Sequence, residues 1–147
     1  MKLSVIVPVY NEKSTILEIL ERISEVPIDK EIIVLDGCSN DGTRELLRDV
    51  KTPFTRIILE EKRKGKGAAV KRGFQEASGE YCIVQDADLE LDPQEYPRLL
   101  EPILQGKAQV VYGSRLLSGT NPMPPPYLIC QSLCDIPNQY PIRVFSN

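Results

Sequence analysis

A chain of 147 residues, 41% hydrophobic and 27% charged, is long enough for one domain with a real core and has an ordinary globular balance. Its formal net charge of −3 argues against a nucleic-acid binder, and the absence of histidine excludes His-based triads and His-ligated metals. No run reaches the length of a membrane-spanning helix. Met1-Lys2-Leu3 leads straight into a strand pattern, and Cys38, Cys82, Cys130 and Cys134 show no zinc spacing, so reduced thiols in the cytoplasm are expected.

Leu3 to Tyr10 is a β-branched run with the character of a central parallel strand, and Pro8, which has no N–H, should end its ladder pairing. Asn11 or Ser14 then caps a helix whose apolar face is Ile16, Leu17, Leu20, Ile23 and Val26. A second strand, Glu31 to Leu35, breaks into the turn-forming loop Asp36 to Thr43, where Asp41 caps a helix from Thr43 to Val50. Thr55 to Leu59 is a third strand, completing βαβαβ, the first half of a doubly wound sheet.

Lys62, Arg63, Lys64 and Lys66 gather around Gly65 and Gly67 at the start of a helix. Ala69, Val70, Gly73, Phe74 and Ala77 share one face of that helix, and the small residues would let it approach the sheet closely. The basic start is either a solvated loop or an anion site, because backbone N–H groups and the helix dipole favour negative charge there. It is neither a Walker loop nor a dinucleotide fingerprint.

Tyr81 to Val84 is strand-like and runs through Gln85 into Asp86-Ala87-Asp88. In an extended chain, residues two apart face the same side, so both carboxylates can meet one object. A hard divalent cation, Mg²⁺ or Mn²⁺, suits that pair, whereas the plainer alternative is a solvated turn. Asp92-Pro93-Gln94-Glu95 has the form of a helix start, and Pro97 and Pro102 predict a short or broken helix. Ala108 to Gly113 is a fifth strand delivering Ser114 and Arg115, the latter a phosphate clamp or a surface ion pair. From Asn121 the composition shifts: prolines at 122, 124, 125, 126, 137 and 141, only Asp135 and Arg143 charged, and no helical or strand period, which predicts a tail that is irregular or folds on a partner.

Five stretches, Ser4 to Glu12, the Asp36 loop ending Asn40-Asp41-Gly42-Thr43, Gly65-Lys66-Gly67-Ala68-Ala69, Asp86-Ala87-Asp88 and Gly113-Ser114-Arg115, stand in the order seen in family 2 glycosyltransferases of the GT-A fold. The chain resembles that family over residues 3 to 119 and is most similar to its dolichyl-phosphate mannose synthase and polyprenyl-phosphate branch. The resemblance implies a Rossmann-like α/β fold with a mostly parallel central sheet and helices on both faces. Residues 1–119 would be a nucleotide-sugar-binding catalytic domain with an incomplete acceptor side, followed by the Pro-rich tail 120–147.

The resemblance also implies roles. Pro8, Tyr10 and Glu12 would line the base and ribose pocket, with Asp36 beside the base. Asp86 and Asp88 would hold the metal on the donor diphosphate, and Lys66 and Arg115 would face phosphates. The implied activity is inverting transfer from a UDP- or GDP-sugar to a lipid phosphate, at the inner face of a membrane. The alternatives are a non-catalytic nucleotide-sugar-binding domain and a structural remnant, and an exposed sheet edge would favour a homodimer. The chain departs from the pattern at Gly37, where the family usually has a second Asp that contacts the base, and after Gly119, where the resemblance ends. The departures bear on nucleotide affinity and acceptor binding, and low or absent turnover is expected of the chain by itself.

Overall fold

A computed structural model describes residues 2–52, 54–112 and 143–145. The chain folds in the order β1 (Leu3–Val9), α1 (Ile16–Glu25), β2 (Lys30–Asp36), α2 (Thr43–Asp49), β3 (Thr55–Leu59) and α3 (Lys66–Glu76), then β4 (Tyr81–Val84). A 3₁₀ turn (Pro93–Glu95) leads into α4 (Tyr96–Leu104), and β5 (Val110–Tyr112) and β6 (Arg143–Phe145) complete the sheet. The strand order is β3-β2-β1-β4-β6-β5 and every neighbouring pair is parallel. This is the α/β architecture that the sequence predicts.

β1 is apolar at every position but the buried Ser4 because it lies inside the sheet and is covered on both faces. Val5, Val7 and Val9 face the layer of α1 and α4, packing with Ile16, Ile19, Ile23, Leu100 and Ile103. Ile6, with Ile33 and Leu35 of β2, faces α3 through Val70 and Phe74. The small residues of α3 serve the expected close approach: a Cβ on Gly73 would run into Ile6 Cγ2, and a methyl there would also lie 3.1 Å from Leu35 Cδ1.

Local differences from the sequence reading have physical causes. β1 stays paired with β2 through Pro8, opposite Leu35, whereas its ladder with β4 stops at Ile6 opposite Val84. Pro8 therefore ends only the side on which its missing N–H would have donated. Helix α1 starts after Thr15, whose hydroxyl donates back to Glu12 and makes no capping bond, and not after Asn11 or Ser14; Asn11 takes a left-handed φ of 57° and is used by the loop. Starting at Ile16 puts Ile19 inside and leaves Leu17 47% exposed, so the buried face is Ile16, Ile19, Leu20 and Ile23. Helix α4 runs unbroken through Pro102, although it is short, and Pro97 sits in its first turn where no N–H is needed.

Arg143–Phe145 inserts as a strand between β4 and β5, in a segment where the sequence shows no strand period. Three residues are too few for a period-2 pattern to register. The rest of the Pro-rich segment, with Cys130 and Cys134, and the Gly113-Ser114-Arg115 motif lie outside the described residues. Among the described residues no helix is long and apolar enough to cross a membrane.

Candidate active site at the carboxyl ends of the strands

Parallel strands that end at one level leave a crevice above their carboxyl ends, and the loops after β1, β2, β3 and β4 all open there. They line a cavity of about 300 Å³. Pro8, Tyr10 and Glu12 enter from β1, Lys66 from the start of α3, and Asp86 and Asp88 from the end of β4. Six of the residues singled out in the sequence are thus brought together.

Asp36 is not among the lining residues. It ends β2 with its side chain fully buried, and the neighbouring Gly37 faces the cavity in its place. Asp36 Oδ2 accepts hydrogen bonds from the backbone N–H groups of Cys38 (3.1 Å) and Ser39 (3.2 Å) and lies 3.2 Å from Arg44 Nε. Its other oxygen, Oδ1, has no hydrogen-bond partner among the described residues. The Ser39 hydroxyl in turn accepts from the Asn11 N–H (2.9 Å), Asn11 Oδ1 accepts from the Asn40 N–H (2.9 Å), and the Thr43 hydroxyl accepts from the Glu12 N–H (3.0 Å). The loops after β1 and β2 are thereby latched together, and Tyr10 and Glu12 are held on either side of the latch. Glu12 also accepts from the Thr15 hydroxyl at 3.0 Å.

The two-aspartate loop is braced from below. Gln85 is fully buried; its Oε1 accepts from the Tyr96 hydroxyl (2.8 Å) and its amide donates to the carbonyls of Asp86 (3.0 Å) and Leu91 (3.3 Å). Burial, and secondarily the charge of Asp92, push the Tyr96 phenol far above its usual range, so it remains a donor at any physiological pH. Asp88 Oδ1 accepts from the Glu90 N–H (3.1 Å) across Leu89, which adopts a left-handed φ of 64°. Both oxygens of Asp86 face Lys66 Nζ, at 2.7 and 2.8 Å.

One contact that the sequence reading does not single out is Arg63, whose guanidinium lies 3.9 Å from the centre of the Tyr10 ring and lines the same cavity. It is visible in the sequence only as a member of the basic run, and no spacing rule ties that run to the end of β1. Arg115 lies outside the described residues.

Among the described residues no three metal-binding side chains gather at one point. The donor set on offer is Asp86 and Asp88, two hard oxygen ligands with no sulfur or imidazole. That fits Mg²⁺ or Mn²⁺, which take one or two carboxylates and complete their shells with water and substrate phosphates.

The model of glycosyl transferase family 2 matches residues 4–140. The chain belongs to that family. The match continues well past Gly119, where the motifs alone end the resemblance, so the Pro-rich segment is in part family sequence. Over 122 residues the chain is 39% identical to the dolichol-phosphate mannosyltransferase of Pyrococcus furiosus, covering 81% of this chain and 34% of that protein. A mannosyltransferase from Pyrobaculum calidifontis, solved with GDP-mannose and Mn²⁺, is similar with a TM-score of 0.55 at 33% identity, over 58% of this chain and 27% of that one. Staphylococcus aureus TarS, solved with UDP, shares the fold with a TM-score of 0.67 at 23% identity, over 78% of this chain and 36% of that one. The chain spans about a third of the length of the curated relatives it matches.

Proposed function

We propose that this chain supplies the donor-binding half of a metal-dependent, inverting glycosyltransferase that moves a sugar from a UDP- or GDP-sugar to a polyprenyl phosphate. The observation that carries the reading is the convergence of Tyr10, Glu12, Lys66, Asp86 and Asp88 on one cavity above the strand ends, in a family 2 chain. The names of the relatives supply the acceptor class, and the Mn²⁺ and GDP-mannose of the Pyrobaculum calidifontis enzyme supply the precedent for cation and donor.

Asp86 and Asp88 would hold the cation, which as a Lewis acid offsets charge developing on the departing nucleoside diphosphate. Tyr10, held by the latched β1 and β2 loops, would meet the base once the Arg63 guanidinium, 3.9 Å from its ring centre, makes way. Glu12, which lines the same cavity, would accept from ribose hydroxyls. Lys66, at the first position of α3, adds its ammonium to the positive end of the helix, where phosphate oxygens are favoured. Arg115 is proposed to meet the acceptor phosphate. A phosphate acceptor is already ionised near neutral pH, so the chain has only to orient it and needs no general base. Such a chain would work at the cytoplasmic face of a membrane, where polyprenyl phosphates are presented.

Paramagnetic broadening tests the placement. Mn²⁺ together with UDP or GDP should broaden the backbone amides of residues 10–12, 65–67 and 86–88, and Asp88→Ala should remove that broadening. Broadening confined to other surfaces, or unchanged in the variant, would place the cation elsewhere.

A further inference from the structure

Asp86 is already engaged in this structure. Lys66 Nζ meets both of its carboxylate oxygens, at 2.7 and 2.8 Å, so a cation that binds Asp86 has to displace an ammonium first. That leaves Asp88 as the accessible carboxylate, with one of its oxygens accepting from the Glu90 N–H. A single exposed carboxylate holds a hard divalent cation poorly, because the ion keeps most of its water.

The lysine is built to move. Its side chain is 63% exposed, so breaking the pair costs little. The preceding Gly65 has a φ of 85°, and neither Gly65 nor Gly67 has a heavy atom within 4 Å of the position a Cβ would take, so the start of α3 has open space on both sides of Lys66. What draws an ammonium from a carboxylate is a stronger anion, and a diphosphate seated at the N-terminus of α3 is one.

We infer that Lys66 is an internal competitor of the divalent cation: it holds Asp86 until a nucleoside diphosphate takes the ammonium over, so the cation loads together with the diphosphate and not ahead of it. The inference rests on the reading of Asp86 and Asp88 as metal ligands. Its consequence is that the chain discriminates against free divalent cations and accepts them as their nucleotide complexes.

Mn²⁺ binding to the full chain, followed by electron paramagnetic resonance, separates this inference from the reading beneath it. The wild type should bind Mn²⁺ weakly alone and at least tenfold tighter with UDP or with GDP. Lys66→Gln removes one positive charge from beside the cation and should tighten Mn²⁺ binding in the absence of nucleotide by about tenfold. It should also shrink the gain that nucleotide brings, whereas Lys66→Arg, which keeps the charge, should behave like the wild type. If Lys66→Gln, folded by circular dichroism, binds Mn²⁺ alone no tighter than the wild type while nucleotide-assisted binding persists and Asp88→Ala abolishes it, the competitor role is wrong and the metal site stands. If the folded wild type binds no Mn²⁺ with either nucleotide, the metal site is wrong and the inference goes with it.

Discussion

Replacing Asp36 by Ala tests the latch that shapes the proposed donor end of the site. The wild-type carboxylate is fully buried, accepts two backbone N–H groups at 3.1 and 3.2 Å and pairs with Arg44 at 3.2 Å. Removing one partner of a buried ion pair, its hydrogen bonds included, costs about 3–5 kcal/mol. Arg44 keeps part of its compensation, since it also donates to the Glu60 carbonyl at 3.0 Å and its side chain is 21% exposed. The expected loss is therefore about 3–4 kcal/mol, a large share of the roughly 5–15 kcal/mol typical of a domain. Asp36→Asn keeps the shape and an acceptor and should cost about half as much, roughly 1–2 kcal/mol. Urea unfolding followed by circular dichroism, with the slope checked for constancy, reads both values. A loss under about 1 kcal/mol for Asp36→Ala would refute the claim that this carboxylate organises the loop.

Three more outcomes follow from the same geometry. Tyr96→Phe strands the buried Gln85 Oε1 and should cost about 1–2 kcal/mol in urea unfolding, together with faster amide exchange at residues 86–91; exchange left at the wild-type rate would show that the brace is idle. A Cβ at Gly37 would sit at ordinary contact distances, 3.4 Å from the Val9 carbonyl and 3.9 Å from Tyr10, so Gly37→Asp should fold normally and raise nucleotide affinity several-fold in calorimetric titration; equal or weaker affinity would contradict the account of that departure. At the far end of the sheet, burial opposes ionisation of Glu31, but hydrogen bonds from the Ser4 hydroxyl and from Ser78, with the charge of Lys2, outweigh it and hold the carboxyl down to about 2. A depressed pKa stabilises the fold above the unfolded value near 4.5, and that contribution is lost as pH falls toward 2. The stability gap between wild type and Glu31→Gln should thus be up to about 2 kcal/mol at pH 7 and close between pH 5 and 2; a gap independent of pH would rule this out.

Much of this was legible because it is written in local pattern. The β-branched runs of β1 and β2 and the Ala-Val-Gly-Phe face of α3 declare buried strands and a closely packed helix by pattern alone, and the run Thr55 to Leu59 declares β3, which is only half-buried at the end of the sheet. Asp86 and Asp88 declare themselves by following a strand. What stayed hidden depends on groups far apart in the chain. The stacking of Arg63 on Tyr10, the inward turn of Asp36 and the hydroxyl latch through Ser39 and Thr43 exist only once the strand ends are side by side. The start of α1 differs from the expected Asn11 or Ser14 because the left-handed turn at Asn11, tied to the loop after β2, carries the chain on to Thr15 before the helix begins. Strand β6 escaped because three residues carry no period.

The most direct test of the central claim is calorimetric titration of the folded chain with UDP-glucose and with GDP-mannose, each with Mn²⁺ and with EDTA. Heat is expected with one donor in Mn²⁺, lost in EDTA and in Asp88→Ala. Donor binding that is indifferent to EDTA and to that substitution would contradict the claim.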